Sequence, residues 1–136
     1  MKLEELKQEL EDKLVIHYDE LELCLRENSL YHGKFINILA DHRVESKVLD
    51  IRLSKLKRKK WLYYSGRSDE PYEFVLDKTD IKMVMETDDD LLRIRSQMEI
   101  NDIKIKMLED ACKAFVGRGF NLKSAVEMRK IELGLI

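Results

Sequence analysis

Between Ile51 and Ser68 the chain sets seven cations, Arg52, Lys55, Lys57, Arg58, Lys59, Lys60 and Arg67, with no acid among them, and places Trp61, Tyr63 and Tyr64 in the same run. Phosphates reward clustered cations by releasing condensed counterions, and unpaired bases stack on aromatic faces. The combination therefore suits single-stranded nucleic acid better than duplex. The candidate contacts are Lys55, Lys57, Arg58, Lys59, Lys60, Tyr63, Tyr64 and Arg67. The competing reading is a solvated helix face with Trp61 and one tyrosine packed in the core, since Trp61 follows Leu53 and Leu56 at helical spacing. The whole chain has 25 basic and 27 acidic residues and a formal charge of −2, so the remainder carries −9 once the seven are set apart. This is a basic island on an acidic protein.

Other residue patterns carry less chemistry. Arg118 stands between Gly117 and Gly119, where it either presents its guanidinium to a phosphate or simply sits in a helix stop and turn. Asp88, Asp89 and Asp90 invite a Mg²⁺ reading, but three consecutive side chains at a helix start do not converge as ligands must, and N-terminal capping explains them better. His17, His32 and His42 lack metal-ligand spacing, and no serine or cysteine has an activating neighbourhood. Glycine-rich phosphate loops and the His-x-Glu with Cys-x-x-Cys of nucleotide deaminases are missing. No catalytic residue, metal site or cofactor is expected. Cys24 and Cys112 are too few and too distant for a disulfide framework or a zinc pair, and read as small apolar residues of a reduced, cytoplasmic protein. No apolar run approaches the ~18 residues of a membrane span, and the acidic start lacks the pattern of a secretory signal.

The elements that must position these residues read as mainly α. One proline, five glycines and abundant Leu, Glu, Lys, Met and Ile favour long helices over a turn-rich sandwich. Leu3, Leu6, Leu10 and Leu14 predict a first amphipathic helix. Residues 20–64 contain no proline, and predict either one very long helix or two broken near Asn28 to Gly33. Ser65-Gly66 ends that element. Tyr72 to Leu76 reads as a short strand or extended arm, and Asp80 or Thr79 as the cap of a brief helix through Glu86.

From Asp89 to Val116 the apolar spacing is clearest: Leu91, Ile94, Met98, Asn101, Ile105, Leu108, Cys112 and Phe115 step by three and four, a seam with one polar member. A second stripe, Ile100, Ile103, Met107, Ala111 and Ala114, lies on another side of the same helix. Gly117-Arg118-Gly119 is expected to stop it, with Phe120-Asn121 as staple and N-cap of a last helix, Leu122 to Leu133. That helix also carries two apolar sets.

A chain of 136 residues, 44% apolar and 38% charged, buries only part of such surface by itself. Two-faced helices therefore argue for an oligomer assembled through the C-terminal half. The residues expected to serve it are Ile105, Leu108, Phe115, Phe120, Leu122, Val126, Met128 and Leu133. The expected organisation is a single helical protein over 1–136, with residues 1–76 bearing the basic segment and 77–136 the helices of self-association.

The sequence resembles the UvsY recombination mediator family of T-even-type bacteriophages over nearly its whole length. The resemblance rests on Tyr63-Tyr64-Ser65-Gly66-Arg67 after a basic, leucine-containing run, on Asp69-Glu70 and Glu73-Phe74 behind it, and on Arg118-Gly119-Phe120 followed by Lys123, Met128 and Arg129. It implies a non-enzymatic protein of the infected host's cytoplasm that binds single-stranded DNA as a ring of about six or seven subunits. It also implies that the protein loads the phage recombinase onto DNA covered by single-strand-binding protein. The family's DNA-binding stretch falls here on Arg58, Lys59 and Lys60, where this chain is uninterruptedly basic and continues with Trp61. The resemblance also places self-association in the C-terminal region. A helical adaptor or structural oligomer that docks an acidic protein through the basic segment is the alternative.

Overall fold

Leu6 and Leu10 turn to the same side of the first helix, α1 (Leu3–Leu14), and both are buried. In a computed structural model, which describes residues 1–135, three further helices follow: α2 (Leu21–Tyr64), α3 (Lys78–Glu86) and α4 (Asp89–Glu132). Among the described residues there is no strand, and Tyr72 to Leu76 is irregular chain that bends at Glu73 and Phe74. None of these helices is long and apolar enough to cross a membrane.

Two compact units divide the chain, one formed by Met1–His42 with the residues from Ile103 onward, the other by Arg43–Asp102. They interleave along the sequence, whereas the division expected at residue 76 follows chain order. In the first unit, Leu6 and Leu10 of α1 meet Phe35 and Leu39 of α2 and Leu108, Ala111 and Phe115 of α4. The Phe35 and Phe115 rings stack with centroids 5.4 Å apart, a geometry that adds to the area they bury. A smaller cluster joins Leu21, Cys24 and Leu122.

The open question about residues 20–64 resolves as one helix. Leu21, Cys24, Asn28, Phe35 and Leu39 keep a buried row running through the region of Gly33, and a helical glycine costs only about 1 kcal/mol against such packing. The same reasoning corrects the expected stop at Gly117-Arg118-Gly119. Leu108, Ala111, Phe115, Arg118 and Leu122 step by three and four as one buried row, so α4 continues through both glycines and no separate last helix exists. Phe120-Asn121 is therefore interior helix rather than staple and cap.

The left-handed glycines are instead Gly66 (φ 78°) and Gly134 (φ 72°). At each, the N–H groups of the glycine and of the residue after it return to carbonyls of the last helical turn: Gly66 to Tyr63 and Arg67 to Leu62, Gly134 to Ile131 and Leu135 to Lys130. Both helices end this way because only glycine takes that backbone conformation without steric cost. In the second unit, α3 starts from Asp77, whose carboxylate accepts from the Asp80 N–H at 2.8 Å. Asp77 thus takes the capping place expected of Thr79 or Asp80.

Candidate nucleic-acid interface

Helical register sorts the basic run of α2 into two sets. Leu49, Leu53, Leu56 and Lys60 step by four, three and four, and Leu49 is buried. Lys60 therefore falls on the inward row, and its side chain is only 19% exposed. Arg52, Lys55, Lys57, Arg58 and Lys59 lie off that row and are exposed. Among the described residues none of these five forms an ion pair. Their charge is balanced by solvent ions alone, the condition under which a polyanion binds by displacing them.

Lys60 and Tyr64, expected among the nucleic-acid contacts, have partners within the chain. The Lys60 ammonium lies 2.8 Å from Asp90 Oδ2 and 3.1 Å from Asp88 Oδ2, and the Tyr64 hydroxyl donates to Asp88 Oδ2 at 2.6 Å. The other Asp88 oxygen accepts from the Asp90 and Leu91 N–H groups at 3.0 and 3.1 Å. Asp88 is thus the N-cap of α4 and the anchor of α2 together. Burial would push its carboxyl up, but the Tyr64 hydroxyl, the Leu91 N–H and the Lys60 ammonium outweigh burial and hold it below the ordinary carboxylate range. The hydrogen bond to Asp90 holds Lys60 above the usual lysine range despite desolvation. Burial, reinforced by the bond to Asp88, pushes the Tyr64 hydroxyl up to about 12. Asp88 caps and pairs and Asp90 pairs, and among the described residues no group of three or more His, Cys, Asp or Glu could hold a metal.

Tyr63 belongs to an aromatic cluster. Its ring meets Tyr64 edge-on at 5.0 Å and Tyr72 at 5.6 Å, and Tyr72 in turn meets Phe74 at 5.6 Å. The Tyr72 N–H donates to the Tyr63 carbonyl at 3.1 Å, which pins the irregular segment to the end of α2. Trp61 is not core: it is 40% exposed, and the Arg67 guanidinium lies 4.8 Å from its ring centroid. Both line a groove to which Lys78, Lys82 and Arg95 also contribute. Those three cations were not among the residues singled out from sequence, because they are scattered over α3 and α4, each among acids and apolar residues.

Arg118 does not face a phosphate. It is 5% exposed, and donates through Nε to the Leu14 carbonyl, through Nη2 to Val15 and through Nη1 to Asn28 Oδ1 and the Cys24 carbonyl, at 3.2, 2.9, 2.8 and 3.5 Å. Leu14 and Val15 close α1, whose last carbonyls have no intrahelical partner. Asn28 is held in turn by its donation to the Phe115 carbonyl at 2.8 Å. Gly119 makes room for this network: a Cβ there would stand 3.1 Å from the Asn28 amide nitrogen. The register of Arg118 with Phe115 and Leu122 was the sequence signal for burial.

Of the residues expected to serve self-association, Leu108, Phe115 and Leu122 are completely buried within one chain. Ile105 and Val126 pack against the same two clusters. Phe120, Met128 and Leu133 remain exposed, as do Ile131 and Leu135 beside them. Phe120 and Met128 on α4, and Leu133 just beyond its end, are thus left uncovered within the chain.

Residues 9–135 match the family model described as the recombination, repair and ssDNA binding protein UvsY. The recombination protein uvsY of Enterobacteria phage T4 is 28% identical over 137 aligned positions, which cover 98% of this chain and 99% of that protein. Crystal structures of the bacteriophage T4 recombination mediator protein UvsY share the fold. One lattice form superposes with a TM-score of 0.84 at 25% identity over 98% of both chains, and another with 0.84 at 25% identity over 96% of this chain and 99% of that one. The inward row of α2, the exposed cations beside it and the continuous α4 are therefore features of a member: the chain belongs to the UvsY family of recombination, repair and single-stranded-DNA-binding proteins.

Proposed function

We propose that this protein is a non-enzymatic recombination mediator that binds single-stranded DNA as a ring homo-oligomer of about six or seven copies. It loads the phage recombinase onto DNA covered by the phage single-strand-binding protein, in the cytoplasm of the infected host. The observation that carries the reading is the set of exposed, unpaired cations on α2, Arg52, Lys55, Lys57, Arg58 and Lys59, in a chain that belongs to a single-strand-binding family. Arg67 at the end of the run joins them. Tyr63 and Tyr64 act behind this surface, by fixing the end of α2.

Multiplicity supplies the mechanism. One small basic face binds DNA weakly at cellular salt, but a ring turns each later contact into an intramolecular event and raises avidity without new contacts. A strand held across several copies is bent and drawn away from the protein that coated it, and the exposed strand is handed to recombinase. The exposed Phe120 and Met128 of α4, with Leu133 just beyond its end, supply the apolar surface between copies. Native mass spectrometry of the full chain, alone and with oligo(dT), tests both halves at once. The expected species is a closed ring that retains its mass class and gains oligonucleotide. A monomer, or a ring that ignores oligo(dT) and takes up an acidic protein instead, would contradict the reading and favour the adaptor.

A further inference from the structure

The groove beside Trp61 has a volume of about 840 Å³. Its walls come from four stretches within Arg43–Asp102: the last turn of α2, the segment that follows, α3, and α4 at Arg95. Four cations line it, Arg67, Lys78, Lys82 and Arg95, against two carboxylates, Asp77 and Glu86. One of those acids is already engaged, since Asp77 caps α3 through the Asp80 N–H. Among the described residues none of the four cations forms an ion pair. For Arg95 this is unusual, because it is half-buried, and a cation drawn out of water without a carboxylate gains from an anion brought by a ligand.

The apolar part of the lining points to what that anion carries. Leu76, Ile81 and Met85 contribute hydrocarbon, and Trp61 contributes a ring whose face already receives the planar Arg67 guanidinium at 4.8 Å. A ring that stacks a planar cation can stack a planar base by exchange. The displaced guanidinium is then free for a phosphate. Lys78 and Lys82 are four residues apart on α3, so they stand on one side of it and follow a backbone rather than a single point.

We infer that this groove is a nucleotide site, in which one unpaired base of a single strand stacks on Trp61 while Arg67, Lys78, Lys82 and Arg95 hold the flanking phosphates. It deepens the reading of the chain as a single-strand binder and rests on it. The exposed α2 cations draw the strand by charge alone; the groove adds a contact that requires a base.

Trp61 is the only tryptophan, so its emission reports the groove directly. Titration of the full-length protein with oligo(dT) quenches it, and an abasic oligonucleotide of equal length, which keeps the charge and lacks the base, does not. Trp61→Ala weakens oligo(dT) binding about tenfold, within the cost of losing one base–aromatic stack. Lys78→Ala with Lys82→Ala, both at exposed positions, reduces the quench and lowers the single-strand salt slope by about 1.4, the release of two phosphate contacts. If labelled oligo(dT) binds while Trp61 emission and the double variant's affinity stay unchanged, the groove is not a nucleotide site, and single-strand binding through α2 stands. Equal quenching by polyglutamate would also overturn it, in favour of an acidic peptide. If oligo(dT) does not bind at all, both readings fall.

Discussion

Arg118 on α4 and the lysines from Lys55 to Lys59 on α2 carry the same charge on helices of the same length, 44 residues each. Arg118 is buried with four oxygen acceptors around it, two of them the carbonyls that end α1. The lysines are exposed and unpaired. The difference lies in register: Arg118 continues the row of Phe115 and Leu122, while Lys55, Lys57 and Lys59 fall beside the row of Leu53 and Leu56. A cation on the core row is recruited to hold the fold, and one off it stays in solvent. Lys60, on the core row of the basic run itself, behaves like Arg118 and binds Asp88 and Asp90.

The largest expected effect is at Arg118. Arg118→Ala leaves the Leu14 and Val15 carbonyls and the Asn28 amide without their charged donor, and should cost about 3 kcal/mol, read as a lowered Tm. Arg118→Lys should recover little of it, since an ammonium cannot reproduce the guanidinium fork. Asp88→Asn should cost about 1.5 kcal/mol at neutral pH, because the cap survives while the charge-assisted bonds to Lys60 and Tyr64 weaken. The same substitution bears on pH. The folded Asp88 carboxyl lies below its unfolded value, so its contribution is full above about pH 3.9 and drains away as pH falls from there through the folded value. Chemical denaturation across the acid range should show a shallower loss of stability in Asp88→Asn than in the parent.

Smaller effects separate the two glycines beside Arg118. Gly119→Ala presses on Asn28 at 3.1 Å, and Asn28 cannot shift without loosening its bonds to Phe115 and Arg118, so a loss of about 1 kcal/mol is expected. Gly117→Ala meets nothing within 4 Å and should gain about 0.5 kcal/mol by reducing the freedom of the unfolded chain. Smallest of all is the effect on stability of Lys55→Ala, Lys57→Ala and Lys59→Ala together, within about 0.5 kcal/mol of the parent by denaturant titration. A large loss there would place these lysines in the fold and erase the contrast with Arg118.

Much of the architecture was legible from residue spacing. Leucines at three and four, the glycine after Tyr64 and the acids before Leu91 each mark an element or its end by local chemistry. The misreading at Gly117-Arg118-Gly119 came from weighing local propensity above tertiary packing: two glycines cost a helix little when Phe115 and Leu122 on either side are both buried. The basic face was legible because charge clustering is a property of the sequence, and the withdrawal of Lys60 from it was available in the same register. The groove was not legible. Arg67, Lys78, Lys82 and Arg95 come together only through the turn at Gly66 and the path of the chain into α3, neither of which spacing predicts.

We propose that the exposed, unpaired lysines of α2 hold single-stranded DNA while Lys60 holds the fold. The most direct test of this proposal is the salt dependence of oligo(dT) affinity, measured by anisotropy for the parent, for the triple variant Lys55→Ala, Lys57→Ala, Lys59→Ala, and for Lys60→Ala. The expected logarithmic slope is lower by about 2 in the triple variant, three contacts at about 0.7 each, and unchanged in Lys60→Ala despite its reduced Tm. A parental slope in the triple variant, or a reduced one in Lys60→Ala alone, would contradict it.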